Sequence, residues 1–233
     1  MCGRFTQAMS WKELVELYRL NDQPETPLQP RYNVAPSQQV LAIRQEAGER
    51  QAFLPRWGLV ASWAKDSAIG NRMINARGES LAEKSAFRSA FRRRRCLIPA
   101  SGFYEWSGPR SARQPHYIQA RTGGLLTFAG LWESWRDPAL PEAPPLESCT
   151  IVTTPASSDV TALHDRMPVI LSPDQWESWL NPEAPLPLLE GLLQPAPAGS
   201  LVYHPVDRKV GSPRVEGPDL IAPLPRPSGE LPL

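Results

Sequence analysis

No apolar run in this chain approaches the ~18 residues that a membrane-crossing helix requires. The opening MCGRFTQAMSWKE has no basic segment leading into an apolar one. These absences point to a cytoplasmic protein with no membrane contact. An excess of charge of one sign is missing too: Lys and Arg number 25 against 24 Asp and Glu, a net +1. Any polyanion must then meet a local basic patch and not a global field. Cysteine is scarce. Cys2, Cys96 and Cys149 lie far apart without CxxC spacing, and an odd number cannot pair completely, which fits a reducing compartment. The three histidines are scattered as singly as the cysteines, so no zinc spacing emerges, and neither a metal nor another cofactor is expected.

Proline is plentiful, 27 residues against a usual ~5%, gathered in loops and after residue 181. From 212 onward, SPRVEGPDLIAPLPRPSGELPL reads as a poorly ordered tail, which leaves 1–211 as one domain. Within that domain, Leu14, Val15, Leu17 and Tyr18 recur at helical spacing, and Pro24 and Pro27 end the pattern. QQVLAIRQ and RQAFLPRWGLV flank EAGE, a hairpin with Gly48 in its turn. SLAEKSAFRSAFRRRR predicts a helix with Phe87 and Phe91 inward and its arginines outward. CLIPASGFYEW, HYIQA, LLTFAGLWESW and SCTIVTT follow as short strands between turn residues. Strands in the middle with helices at intervals, and no regular βαβ alternation, predict an α+β domain on antiparallel or mixed sheets.

Cys2 stands out by position. Removal of Met1 would leave an α-amine and a thiol on adjacent carbons, with reference pKa values of about 8 and about 8.5, so both keep nucleophilic populations near neutrality. An aldehyde would form a Schiff base with the amine, and the thiol would close a thiazolidine ring. A buried or frayed terminal cysteine is the bland alternative.

Six blocks give that residue a context: MCGRF at 1–5, RYNVAP at 31–36, WGLVASW at 57–63, INARGE at 74–79, CLIPASGFYEW at 96–106 and LHDRMPVIL at 163–171. In this order and spacing the chain closely resembles the SRAP family, named from SOS-response-associated peptidase, from Cys2 to about Pro205. The resemblance implies a single α+β domain with a distorted, barrel-like core of antiparallel or mixed sheets and peripheral helices. It also implies a positively charged groove for single-stranded DNA in which abasic sites are captured. The implied product is a thiazolidine cross-link through Cys2, open to self-reversal, with any peptidase activity limited to removing Met1, which either the chain itself or a separate aminopeptidase would do. Carried over by residue, Cys2 is the nucleophile, Asn75 the sugar-positioning amide, Glu105 the acidic catalyst and His164 the catalytic histidine. The sequence departs from close relatives around Gly70-Asn71-Arg72 and in VGSPRVEG near 210, where family members often carry asparagine.

The residues agree with those roles, since opening a cyclic sugar and dehydrating a carbinolamine both need proton donors and acceptors beside the nucleophile. Glu105 lies between Tyr104 and Trp106, a setting expected to raise its carboxyl pKa; the alternative is a strand carboxylate facing water. His164 alternatively serves structure alone, as His116 and His204 are expected to. Arg4, Arg77 and Arg166 each stand two residues from a candidate site residue and suggest a basic rim for phosphates. Trp63 and Trp106 are the candidates for base stacking, while Trp132 is expected in the core. Pro36 is expected to line the DNA groove and Asn33 to hydrogen-bond near the active site among the DNA-binding residues, or both simply shape a turn. Arg88 and Arg92 to Arg95 form the densest basic run, and a solvated helix face is its plainest reading.

Two rivals use the same parts. A thiol hydrolase would take Cys2 as nucleophile, His164 as base and Glu105 as orienting acid, and would not need the α-amine in a ring. A non-catalytic single-strand binding module would need the arginines and tryptophans but leaves Cys2, Glu105 and His164 unexplained. The expected partner is single-stranded DNA holding an abasic site, met by a monomer that is nucleoid-associated if the chain is bacterial; contact with replication machinery stays open at this point.

Overall fold

The computed structural model describes residues 2–21 and 28–225; Pro24, Pro27 and residues 226–233 lie outside them. Apolar alternation along the strands sorts their side chains onto two sheets. The first has the order β13 (Leu201–Pro205), β9 (Gln114–Ala120), β8 (Gly102–Ser107), β1 (Phe5–Gln7) and β2 (Arg31–Val34). Every pair in it is antiparallel. The second runs β12 (Arg166–Pro168), β11 (Leu146–Pro155), β10 (Leu126–Trp135), β7 (Arg95–Ala100), β3 (Ala42–Glu46) and β4 (Glu49–Phe53). Two short strands, β5 (Arg56–Trp57) and β6 (Asn75–Arg77), lie parallel to β11. The α+β class is as expected. The sheets stay open, each with free edges, and do not join into one closed barrel.

Period-two alternation places the cores. Ile98, Phe128 and Ile151 face Phe5, Phe103 and Ile118 of the first sheet, and edge-on ring contacts such as Phe103 on Phe128 at 5.9 Å fill the space between. The alternate residues Leu97, Leu131 and Val152 face the helices. Those are α1 (Trp11–Tyr18), α2 (Arg88–Arg93), α3 (Trp176–Leu180) and α4 (Leu186–Gly191). Ser10 and Glu13 form a capping box on α1. No helix among the described residues is long and apolar enough to cross a membrane.

Several sequence expectations change. The helix read over residues 80–95 is helical only from 88 to 93, although Phe87 and Phe91 are buried as predicted. Arg95 does not point outward: its guanidinium is buried and donates to the Trp179 and Phe91 carbonyls, each at 2.6 Å. Residues 212–225, read as the start of a loose tail, pack back on the first sheet, with Leu220 fully buried beside Tyr104 and Tyr117.

Candidate functional site

Cys2 immediately precedes β1 and is wholly buried in the core between the sheets. Burial pushes its thiol well above the usual range, and the Glu105 charge adds to that push, so the sulfur is held as a neutral thiol. Asn75 opens β6 opposite Ile151 of β11, and its Nδ2 donates to the Cys2 carbonyl at 2.8 Å. Asn75 Oδ1 is buried and accepts no hydrogen bond from the described residues. What fixes Asn75 is the segment before it. The Ile74 carbonyl receives both the Trp57 indole at 2.8 Å and the Ile151 amide at 3.1 Å. Upstream, Gly58 has a φ of +129°, and a Cβ there would lie 2.6 Å from the Gly70 carbonyl oxygen, so only glycine lets these two loops touch. Arg56 ties the same loop down by donating to Asn71 Oδ1 at 2.7 Å.

Glu105 faces inward on β8 and is only 5% exposed, so the solvent-facing alternative fails. Burial raises its carboxyl pKa, opposed in part by the nearby His164. Charge coupling therefore links Cys2 to Glu105 and Glu105 to His164 within one site. His164 sits in the loop before β12. Its Nδ1 lies 2.9 Å from the Arg166 amide and 2.7 Å from Asp165 Oδ1. Both cannot be hydrogen bonds at once, because the amide needs a bare Nδ1 and the carboxylate needs a proton there. With the amide as partner, the ring carries its proton on Nε2.

The expected DNA contacts separate into two groups. Arg4 donates to Asn33 Oδ1 at 2.6 Å, to the Val210 carbonyl at 2.8 Å and to the Gly211 carbonyl at 3.2 Å. Asn33 is fully buried, and its Nδ2 donates to the Ser212 and Val215 carbonyls at 2.9 and 2.8 Å. These two residues clamp the C-terminal segment, and Asn33 makes its hydrogen bonds there and to Arg4, two residues from Cys2. Arg166 grips Glu79 in a fork, 2.7 and 2.9 Å, and also donates to the Thr153 carbonyl at 2.7 Å. Pro36 shapes a turn: Ser37 beside it has a φ of 71°, and its amide donates to Trp57 at 2.8 Å. Trp106 is half-buried and packs on Tyr104, whereas Trp63 is 58% exposed and Arg77 is exposed at the end of β6.

Sequence reasoning missed the Arg4 to Asn33 clamp and the Arg56 to Asn71 tie. Glu79 was within reach, because it lies inside the INARGE block that holds Asn75.

Two packed sheets with a cysteine, an amide, a carboxyl and an imidazole gathered at the amino-terminal strand define an α+β protein built around its own second residue. The chain belongs to the SOS response associated peptidase (SRAP) family, which it matches over residues 1–213. It is 42% identical over 225 residues to the Abasic site processing protein YoqW of Bacillus subtilis, covering 95% of this chain and 99% of that one. The Abasic site processing protein HMCES of Gallus gallus is 33% identical, covering 84% of this chain and 66% of that protein. A crystal structure of a protein from Bacteroides thetaiotaomicron superposes with a TM-score of 0.84 at 23% identity, over 96% of this chain and 100% of that one, and shares the fold.

Proposed function

We propose that this protein captures abasic sites in single-stranded DNA by forming a thiazolidine with Cys2 once Met1 has been removed. The reading is carried by the arrangement at Cys2: a buried thiol and main chain held by Asn75, with Glu105 and His164 coupled beside them. The names of the relatives, abasic site processing proteins, support the same substrate.

The ring-opened sugar offers an aldehyde carbon. The Cys2 α-amine attacks it, and the carbinolamine loses water to give a Schiff base. The thiol then adds across the C=N bond, sulfur to carbon and its proton to nitrogen, so one water is released overall. A raised carboxyl pKa enlarges the protonated fraction of Glu105 and suits it to donate a proton during sugar opening and dehydration. Nε2 of His164 supplies the second proton site, and the unfilled Asn75 Oδ1 is an acceptor for a sugar hydroxyl. A thiol held neutral by burial disfavours the hydrolase rival, which needs a thiolate before any substrate bond forms.

The test is intact-mass measurement after incubation with an abasic oligonucleotide. The parent should gain the DNA mass less one water and keep it on heating. Cys2→Ala should form no stable adduct. Cys2→Ser keeps the amine and should give only a species trapped by borohydride. A heat-stable adduct in Cys2→Ala would overturn the proposal.

A further inference from the structure

The arginine run at the end of α2 is not one surface. Arg94 pairs with Glu133 at 2.6 Å and Arg95 is buried against main-chain carbonyls, so both hold the fold. Arg88, Arg92 and Arg93 are exposed, and none makes an ion pair among the described residues. With Ser89 they line an open cleft of about 490 Å³ to which no acidic side chain contributes. Arg88 and Arg92 are i, i+4 neighbours on one face of the helix, and Arg93 follows on its flank along the same cleft. Like charges so placed repel one another, and nothing acidic in the cleft offsets this. The helix C-terminus favours Arg92 and Arg93 only. In a chain of net charge +1, this is a local concentration of cations without counter-charge.

A second observation says what the patch meets. Trp63, 58% exposed, has its indole nitrogen 3.5 Å from the Ser85 carbonyl, three residues before Arg88. An exposed indole anchored at Ser85, just ahead of the helix that carries these guanidinium groups, suits a nucleic acid, whose bases stack and whose phosphates attract cations; an acidic peptide would use only the cations. The chain also joins the patch to the site. From Asn75 and Arg77 it passes through tight turns, with Leu81 bonded back to Gly78, Lys84 to Ser80 and Phe87 to Lys84, directly into α2.

We infer that Arg88, Arg92 and Arg93 form a phosphate-binding strip that holds the DNA backbone running past Trp63, outside the cluster of Cys2, Asn75, Glu105 and His164. The inference rests on the proposed function for its substrate, although the strip itself needs only DNA. Strand length then matters: an oligonucleotide of a few nucleotides engages the Cys2 cluster alone, whereas one of about 16 or more also reaches the strip.

The test compares the parent with Arg88→Gln/Arg92→Gln/Arg93→Gln and with the corresponding triple lysine variant, on intact and abasic strands of both lengths over a range of salt. The glutamine variant should lose roughly tenfold or more in affinity for the long strand. Its slope of log affinity against log salt should fall by about 0.7 per lost contact. Affinity for the short strand and the rate of adduct formation at saturating DNA should stay at parental values. Lysine should restore most of the affinity, because a point charge suffices for phosphate. Parental salt slopes in the glutamine variant would overturn the inference. Parental slopes together with lost binding to poly-glutamate would assign the strip to an acidic protein partner instead. Strip-dependent binding of intact strands by a parent that forms no adduct would sink the proposed function and leave the strip standing.

Discussion

The half of the site around the amino-terminal segment, β2 and β8 is dry and its polar groups are mostly partnered, while the half at the end of β6 and on loops is wet. In the first half, Cys2 and Asn33 are fully buried, Glu105 nearly so, and Arg4 is locked onto the C-terminal segment. In the second, Trp63 and Arg77 are exposed and His164 is half-exposed, its Nδ1 between an amide and a carboxylate. The difference separates two tasks. Burial shifts protonation and positions the nucleophile at a cost in stability; exposure leaves cations and rings available to a ligand at little cost. Substitutions in the dry half should therefore change rate or folding, and those in the wet half affinity.

The largest effect is expected at Glu105. Glu105→Gln keeps the shape and removes the proton, so adduct formation should slow by about 10²-fold for a lost general acid. Stability should move the other way. Burial raises the folded carboxyl above its unfolded value of about 4.3. The stability this group contributes is thus fully present below that unfolded value and is lost as pH rises through the folded one. Glutamine carries no charge to bury, so the variant should melt higher than the parent at pH 8, with the gap closing in acid. Slower cross-linking with a lower melting temperature at every pH would place Glu105 among the structural residues and break the comparison.

Glu105 also shows how much the sequence discloses. Its flanking aromatics predict a raised pKa, and the direction holds, yet Tyr104 and Trp106 point to the opposite face of β8. The carboxyl is dry because β8 is covered on both sides, by the inter-sheet core and by residues 206–220. The apolar periodicities of α1 and of the strands were legible because a face that must be buried repeats its signal every few residues. Arg4, Asn33 and Arg95 were not, since their partners are backbone carbonyls up to 206 residues away, and a carbonyl leaves no mark on sequence. The same blindness made the segment from 212 read as a tail: its prolines suggested disorder, while its carbonyls serve as acceptors for the Arg4 to Asn33 clamp.

That clamp gives the next effect. Arg4→Ala leaves Asn33 Oδ1 buried without its donor and frees the Val210 and Gly211 carbonyls, at about 2 kcal/mol for the lost charged and buried bonds. For a domain of this size that lowers the melting temperature by roughly 4–8 °C. Calorimetry checks the loss, and limited proteolysis should find residues 206–225 cut first. Unchanged melting, with binding weakened and its salt dependence flattened, would return Arg4 to the phosphate contacts.

The smallest effect, and the sharpest contrast with Arg4, belongs to Arg77. It stands as near Asn75 in sequence as Arg4 does to Cys2, but it ends β6 exposed, and the carboxylate closest along the chain, Glu79, is already gripped by Arg166. Its guanidinium is therefore free to meet phosphate, and little folding depends on it. Arg77→Ala should leave the melting temperature within a degree or so of the parent, as a surface change away from any packed feature does. It should weaken single-strand binding several-fold near physiological salt and reduce the slope of log affinity against log salt by about 0.7, one phosphate contact. The rate of adduct formation at saturating DNA should not change, since the proton-transfer groups are untouched. Measured side by side over the same salt range, Arg4→Ala should keep the parental slope and Arg77→Ala should lose it. If the two slopes came out exchanged, burial would have failed to tell a clamp from a contact, and the division between the dry and wet halves would fall with it.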